Sequence, residues 1–95
     1  MKWRLVIQPR AEADLREARN WYESQRSGLG AEFLGEIDTT IQTLVRDPQR
    51  HPIYYRGFYR VLARRFPYKV FYRLEDDRII LFRILHARRD HPHLL

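Results

Sequence analysis

The hydrophobic period changes partway along this chain, and that change dictates its fold class. Between residues 29 and 46, Phe33, Ile37, Ile41, Leu44 and Val45 recur at three- and four-residue spacing, which lines one face of an α-helix. Pro48 predicts the end of that helix, because the residue before a proline avoids helical angles. From Arg56 onward the period drops to two. "FYRVLARRF" (58–66), "YKVFYRLE" (68–75) and "RIILFRILH" (78–86) read as three strands. Pro67 separates the first two strands. "EDD" (75–77) gives the second pair a tight turn, so the three predict an antiparallel meander.

The first half supplies the remaining elements. "WRLVIQ" (3–8) is a short strand candidate. Pro9 suits a first helical position, where its missing N–H costs nothing. "AEADLREARNWYESQ" places Ala11, Leu15, Ala18 and Tyr22 on one helical stripe, with acidic residues in the first turns to match the helix dipole. "RSGLG" breaks the pattern with two glycines, so the two helices form an antiparallel hairpin. Its apolar stripe has only the C-terminal half to pack on. The expected fold is α+β, in the order β-α-α-β-β-β, with the helical hairpin on one face of a small, mainly antiparallel twisted sheet. Ninety-five residues predict a single domain over 1–95.

Charge is distributed unevenly. Residues 1–49 carry seven basic and eight acidic side chains, net −1; residues 50–95 carry eleven and four, net +7. Sixteen of the 18 basic residues are arginine, the side chain suited to forked contacts with phosphates and carboxylates. The second half therefore predicts an anionic partner. The sequence has no cysteine, which removes disulfides and thiolate chemistry and fits a cytoplasmic protein. No signal peptide and no apolar run of membrane-spanning length stand out, so no membrane association is expected.

Candidate chemistry is sparse. On the middle meander strand Lys69, Phe71 and Arg73 share one face, and Tyr68, Val70 and Tyr72 the other. Arginines interleaved with aromatics suit nucleic-acid contact; equally, such rings simply favour strands. "ILHARRD" (84–90) ends the last strand with His86, Arg88 and Arg89. A histidine beside guanidinium groups suits phosphoryl chemistry, although a strand-ending histidine is more often structural. His86, His91 and His93 match no strong zinc spacing, so no metal and no cofactor are expected. A phosphate-cradling glycine loop and a Gly-x-Ser-x-Gly elbow are both absent. Ser24 and Ser27 both lie at the helix connection, which argues against a Ser-His-Asp triad.

"QPRAEADLREARNWYE", "GLGAEFLGEID", "RRFPYKVFYR" and "ILHARRD" occur in this order, and together they resemble the RelE/ParE superfamily of bacterial toxins. The resemblance covers nearly the whole chain. It implies a helical hairpin on an antiparallel sheet, a type II toxin–antitoxin operon with roles in plasmid stabilisation and growth inhibition, and a cognate antitoxin as partner. RelE-like members cut mRNA on the ribosome, using a charged cluster on the sheet. By that resemblance Arg60, Lys69 and Arg89 fall at its basic positions, and His86 is a nuclease candidate beside them. Two departures weigh against cleavage. Leu62 stands where a second strand lysine would move a proton, and no tyrosine follows Tyr72. Proton transfer contributes about 100- to 10,000-fold in such reactions. ParE-like members instead poison DNA gyrase, and "FPY" with "LHARRD" resembles that branch more closely. The resemblance thus implies a ParE-like toxin, with ribosome-dependent endoribonuclease and non-toxic antitoxin-binding module as alternatives. Arg65, Arg88 and Arg89 are the candidate target-binding residues; Arg64, Tyr68, Lys69 and Arg73 are the candidate antitoxin-binding residues.

Overall fold

The computed structural model describes residues 3–88. Its elements are β1 (Arg4–Ile7), α1 (Pro9–Gln25), α2 (Leu29–Arg46), β2 (Ile53–Tyr55), β3 (Phe58–Leu62), β4 (Tyr68–Glu75) and β5 (Arg78–His86). The strands form one open sheet in the order β1-β5-β4-β3-β2. β1 runs parallel to β5, and every other pairing is antiparallel. The hairpin, the meander and the α+β class are as the sequence implies.

One boundary and one element of the C-terminal half differ from expectation. The strand beginning at Phe58 ends at Leu62, not Phe66. Beyond it the chain turns back on itself, the Ala63 N–H donating to Tyr68 O at 2.9 Å and the Tyr68 N–H to Phe66 O at 2.7 Å. An additional edge strand, β2, precedes the meander. It is three residues long, and a turn with positive φ at Arg56 and Gly57 joins it to β3. A run that short offers no alternation to read.

Both helices lie on one sheet face. Phe33, Ile37, Ile41 and Leu44 of α2, with Ala11 and Ala18 of α1, pack with Val70, Tyr72, Ile79, Leu81 and Ile84 of the sheet. Each fully buried large apolar side chain stabilises by about 1.5–3 kcal/mol. The alanines on the inner stripe of α1 let that helix approach the sheet closely, since packing distance follows side-chain size. Tyr72 is fully buried and donates its hydroxyl to Pro48 O at 2.7 Å. That bond pins the chain leaving α2 to the middle of the sheet. Burial holds the Tyr72 phenol well above its ordinary value, so it stays a donor throughout the physiological range.

The other sheet face carries a second, thinner apolar layer. Phe58, Phe71, Ile80 and Leu85 are buried there, outside the helix-side core. The Tyr54 ring reaches across from β2 to within 5.7 Å of Phe71. The Arg60 guanidinium lies 4.1 Å from the Tyr54 ring, and that of Arg73 lies 4.7 Å from Phe58. Arginine stems and rings thus cover this layer while their charges stay at the surface.

Register shifts between Phe71 and Tyr72, where Phe71 pairs with Arg83 and Tyr72 with Leu81. Phe82 is the extra residue of a bulge, which re-aims the side chains after it. Ile79 and Leu81 before the bulge and Ile84 after it all join the helix-side core. Arg83 leaves the alternation and turns to α1.

Candidate functional site

The basic residues singled out from the sequence gather mainly at one end of the sheet, where β3 gives way to β4 and β5 ends. Residues 63–67 connect the two strands there. Their conformation is set from α2: Glu36 Oε2 accepts the backbone N–H groups of Arg64 and Arg65 at 2.6 and 2.9 Å. Glu32 Oε1 meets the Arg65 guanidinium at 2.6 Å, and its other oxygen meets Arg26 at 3.2 Å. The Arg65 contact, reinforced by Arg26, holds the Glu32 carboxyl below its ordinary range. The exit of β5 is tied to the same loop, with the Ala87 N–H donating to Pro67 O at 2.7 Å. Arg64 and Arg88 are exposed. This end therefore presents Arg64, Arg65 and Arg88 on a loop and a strand exit fixed by hydrogen bonds. A prefixed cation loses little freedom on binding.

The candidate nuclease residues do not converge. Lys69 is paired with Leu62 on β3 and Leu85 on β5, and it shares the face away from the helices with Arg60. Burial, and secondarily the nearby Arg60 charge, lower the Lys69 pKa from its ordinary value. That shift alone favours proton transfer. Its cross-strand neighbour is nevertheless an exposed leucine, and Arg60 is stacked on Tyr54. His86 pairs with Tyr68 and so faces the helix side, its ring 5.3 Å from that of Tyr68. Its Nδ1 accepts the Arg88 N–H at 3.2 Å. The sheet itself thus separates His86 from Arg60 and Lys69. Arg89, His91 and His93 lie outside the described residues. Among the described residues, no group of three histidine, cysteine or acidic side chains is placed to hold a metal ion.

The candidate antitoxin-binding residues span both faces. Arg64, Tyr68 and Lys69 sit at the basic end, with Tyr68 half-buried against Tyr22 and Phe33. Arg73 lies four residues further along β4, about 13 Å away, donating to Arg56 O at 2.8 Å. The sequence reading missed three organising carboxylates. Glu36 shapes the 63–67 loop. Glu23 accepts the N–H groups of Gly28 and Gly30 at 3.1 and 2.9 Å. Asp14 bridges α1 and β5, meeting Arg83 Nε at 2.8 Å and Nη2 at 3.0 Å and the Ile84 N–H at 2.9 Å. An acidic residue on a polar helix face carries no local sign that it reaches a strand 70 positions away.

Among the described residues, no helix is long and apolar enough to cross a membrane. No curated protein gives a significant match. Among solved structures, a chain of the chromosomal ParDE toxin–antitoxin system from P. aeruginosa superposes with a TM-score of 0.82. It has 18% identity, and the match covers 90% of this chain and 97% of that one. A chain of the RelBE2 toxin–antitoxin complex from Mycobacterium tuberculosis gives a TM-score of 0.58 and 21% identity, covering 90% of this chain and 99% of that one. At these identities the likeness speaks to fold. The family model described as the ParE toxin of the type II toxin–antitoxin system parDE matches residues 5–91. That match takes in both helices and the whole meander, and with it the chain belongs to the ParE toxin family of type II toxin–antitoxin systems.

Proposed function

We propose that this ParE-type toxin inhibits growth by binding DNA gyrase rather than by cutting RNA, and that a cognate antitoxin neutralises it. The observation that carries this reading is the division of the nuclease candidates by the sheet. Arg60 and Lys69 lie on one face and His86 on the other, and exposed Leu62 stands beside Lys69. Geometry comes before pKa in general acid–base catalysis. Among the described residues no proton-transfer group stands beside Lys69, and a lowered lysine alone does not make an active site. What remains is a recognition surface: Arg65 and Arg88 at the hydrogen-bonded end of the sheet, with Arg89 next in the sequence. The antitoxin reading is supported by the net +7 of residues 50–95 and by Leu62 and Ile53, which are exposed beside it. An acidic, amphipathic segment would steer by charge and anchor on such apolar side chains.

The test runs purified toxin in two assays, supercoiling by gyrase and translation by reconstituted ribosomes. Supercoiling is expected to be inhibited, with mRNA left intact. Codon-position cuts on translating ribosomes would overturn the gyrase reading and make Arg60, Lys69, His86 and Arg89 the residues to mutate. Inactivity in both assays, with antitoxin binding retained, would leave a binding module.

A further inference from the structure

The outer edge of β5 is paired with β1 only as far as Leu81, whose partner is Ile7. Beyond that point no strand among the described residues continues the edge, and α1 runs beside it. The two bound a groove of about 490 Å³ lined by Asp14, Glu17, Trp21, Tyr22, Tyr68 and His86 among others. A bare strand edge is ordinarily a template for an added strand. Here Asp14 already occupies the Ile84 N–H at 2.9 Å. Main-chain pairing is blocked where the groove opens, which leaves recognition to side chains.

The lining is aromatic and acidic. Trp21 stands edge-on to Tyr22 at 5.0 Å, Tyr22 lies 6.1 Å from Tyr68, and Tyr68 lies 5.3 Å from His86. Trp21 is 57% exposed, a large ring kept at the surface of α1. Glu17 precedes it by four residues and so shares its helix face. Among the described residues Glu17 takes no hydrogen bond or direct ion pair; its charge acts at a distance on Arg83, whose guanidinium Asp14 binds directly. In a chain of net charge +6, this is a local reversal of sign. Ring faces beside a carboxylate that has no direct partner hold a cation, and a guanidinium suits them best because it stacks flat while its fork meets the carboxylate.

We propose that the groove between α1 and the outer edge of β5 receives an arginine side chain of a partner polypeptide, stacked on Trp21 and paired with Glu17. The site is opposite in sign to the basic end of the sheet. It stands whether or not gyrase is the target, and it requires of the partner a basic residue where the basic end requires acidic ones.

The test uses the full chain labelled with ¹⁵N at its tryptophan indoles, with Trp21→Phe to assign the Trp21 resonance. The probe is N-acetyl-arginine amide, compared with the neutral isostere N-acetyl-citrulline amide. The Trp21 resonance is expected to shift saturably with the arginine probe while that of Trp3 stays still. Stacking of a cation on an exposed ring is worth about 2- to 5-fold in affinity, and an exposed ion pair a similar factor. The citrulline probe, lacking both, should therefore bind about 5- to 20-fold more weakly, and Glu17→Gln should weaken the arginine probe about 2- to 5-fold. Equal shifts from both probes, an equal response at Trp3, or unchanged affinity in Glu17→Gln would overturn the proposal. The dispersion of the same spectra reports that Glu17→Gln is folded.

Discussion

Arg83 is a charge taken into this molecule, and the Asp14 carboxylate bound to it makes that tolerable. The side chains of Arg83 and Asp14 are each 8% exposed. Asp14 meets two guanidinium nitrogens and, with the same carboxylate, the Ile84 N–H. Its contact holds the Arg83 pKa above the ordinary value, so the guanidinium stays charged at any pH the protein meets. Removing one partner of such a pair leaves an uncompensated buried charge, at about 3–5 kcal/mol. Asp14→Ala should lose that much in urea unfolding, a large share of a total near 5–15 kcal/mol. Replacing both partners by apolar residues is often close to neutral. Asp14→Leu with Arg83→Met should therefore recover most of the loss, yet stay about 1–3 kcal/mol below the parent, because the Ile84 N–H is still orphaned. A double variant less stable than Asp14→Ala would show that the pair does more than satisfy itself.

At the scale of elements, the hairpin turn depends on the ionisation of Glu23. Gly28 has φ +90°, a conformation side chains rarely adopt, and a Cβ at Gly30 would come within 2.9 Å of Arg19 O and Glu23 Oε1. The close approach lets Glu23 reach the N–H groups of both glycines. Those bonds, Gly28 first and Gly30 second, hold its carboxyl below the ordinary value of 4.5. A carboxyl lowered by folding stabilises fully above its unfolded value and loses that contribution as pH falls through the lowered one. Hydrogen-exchange protection at Gly28 and Gly30 should therefore fall from about pH 4.5 downward, while amides inside α2, such as that of Leu44, hold. Glu23→Gln should flatten that pH dependence; a Gln variant with the parent profile would place the titrating group elsewhere. Much of this level was legible in the sequence. The stripe of Phe33, Ile37, Ile41 and Leu44 fixed α2 and the face it buries, and the strand alternation fixed β4 and β5. β2 was not legible, since three residues with Ile53 exposed carry no pattern. Nor were the reaches of Asp14, Glu23 and Glu36, whose partners are brought near only by the tertiary fold. At the candidate site, the basic end could be anticipated from charge. The placement of His86 across the sheet from Lys69 could not, because a bulge at Phe82 resets the alternation of β5.

Over the whole molecule, the division of charge along the sequence becomes a division in space. The hairpin, drawn from the nearly neutral half, covers one sheet face, and the strands and loops of residues 50–88 carry ten basic and three acidic side chains. Arg64 lies at the basic end and Arg73 further along β4, so an approaching acidic segment meets positive charge along the length of that strand. Such a field acts on encounter more than on the final contact. Its reach is set by the Debye length, about 10 Å at 0.1 M salt and about 3 Å at 1 M. Association with the cognate antitoxin should therefore slow by about tenfold or more between low and molar salt, while dissociation, governed by apolar anchoring, changes much less. Arg64→Glu with Arg73→Glu should lower the association rate at low salt and flatten its salt dependence, because reversing rim charges changes steering first. Leu62→Ala should do the opposite, raising dissociation at every salt concentration while leaving the salt slope alone, because Leu62 is 56% exposed and offers apolar area without charge. An association rate indifferent to salt would mean that the basic half meets something other than an acidic partner. A Leu62→Ala complex as long-lived as the parent would move the apolar anchor away from the basic face.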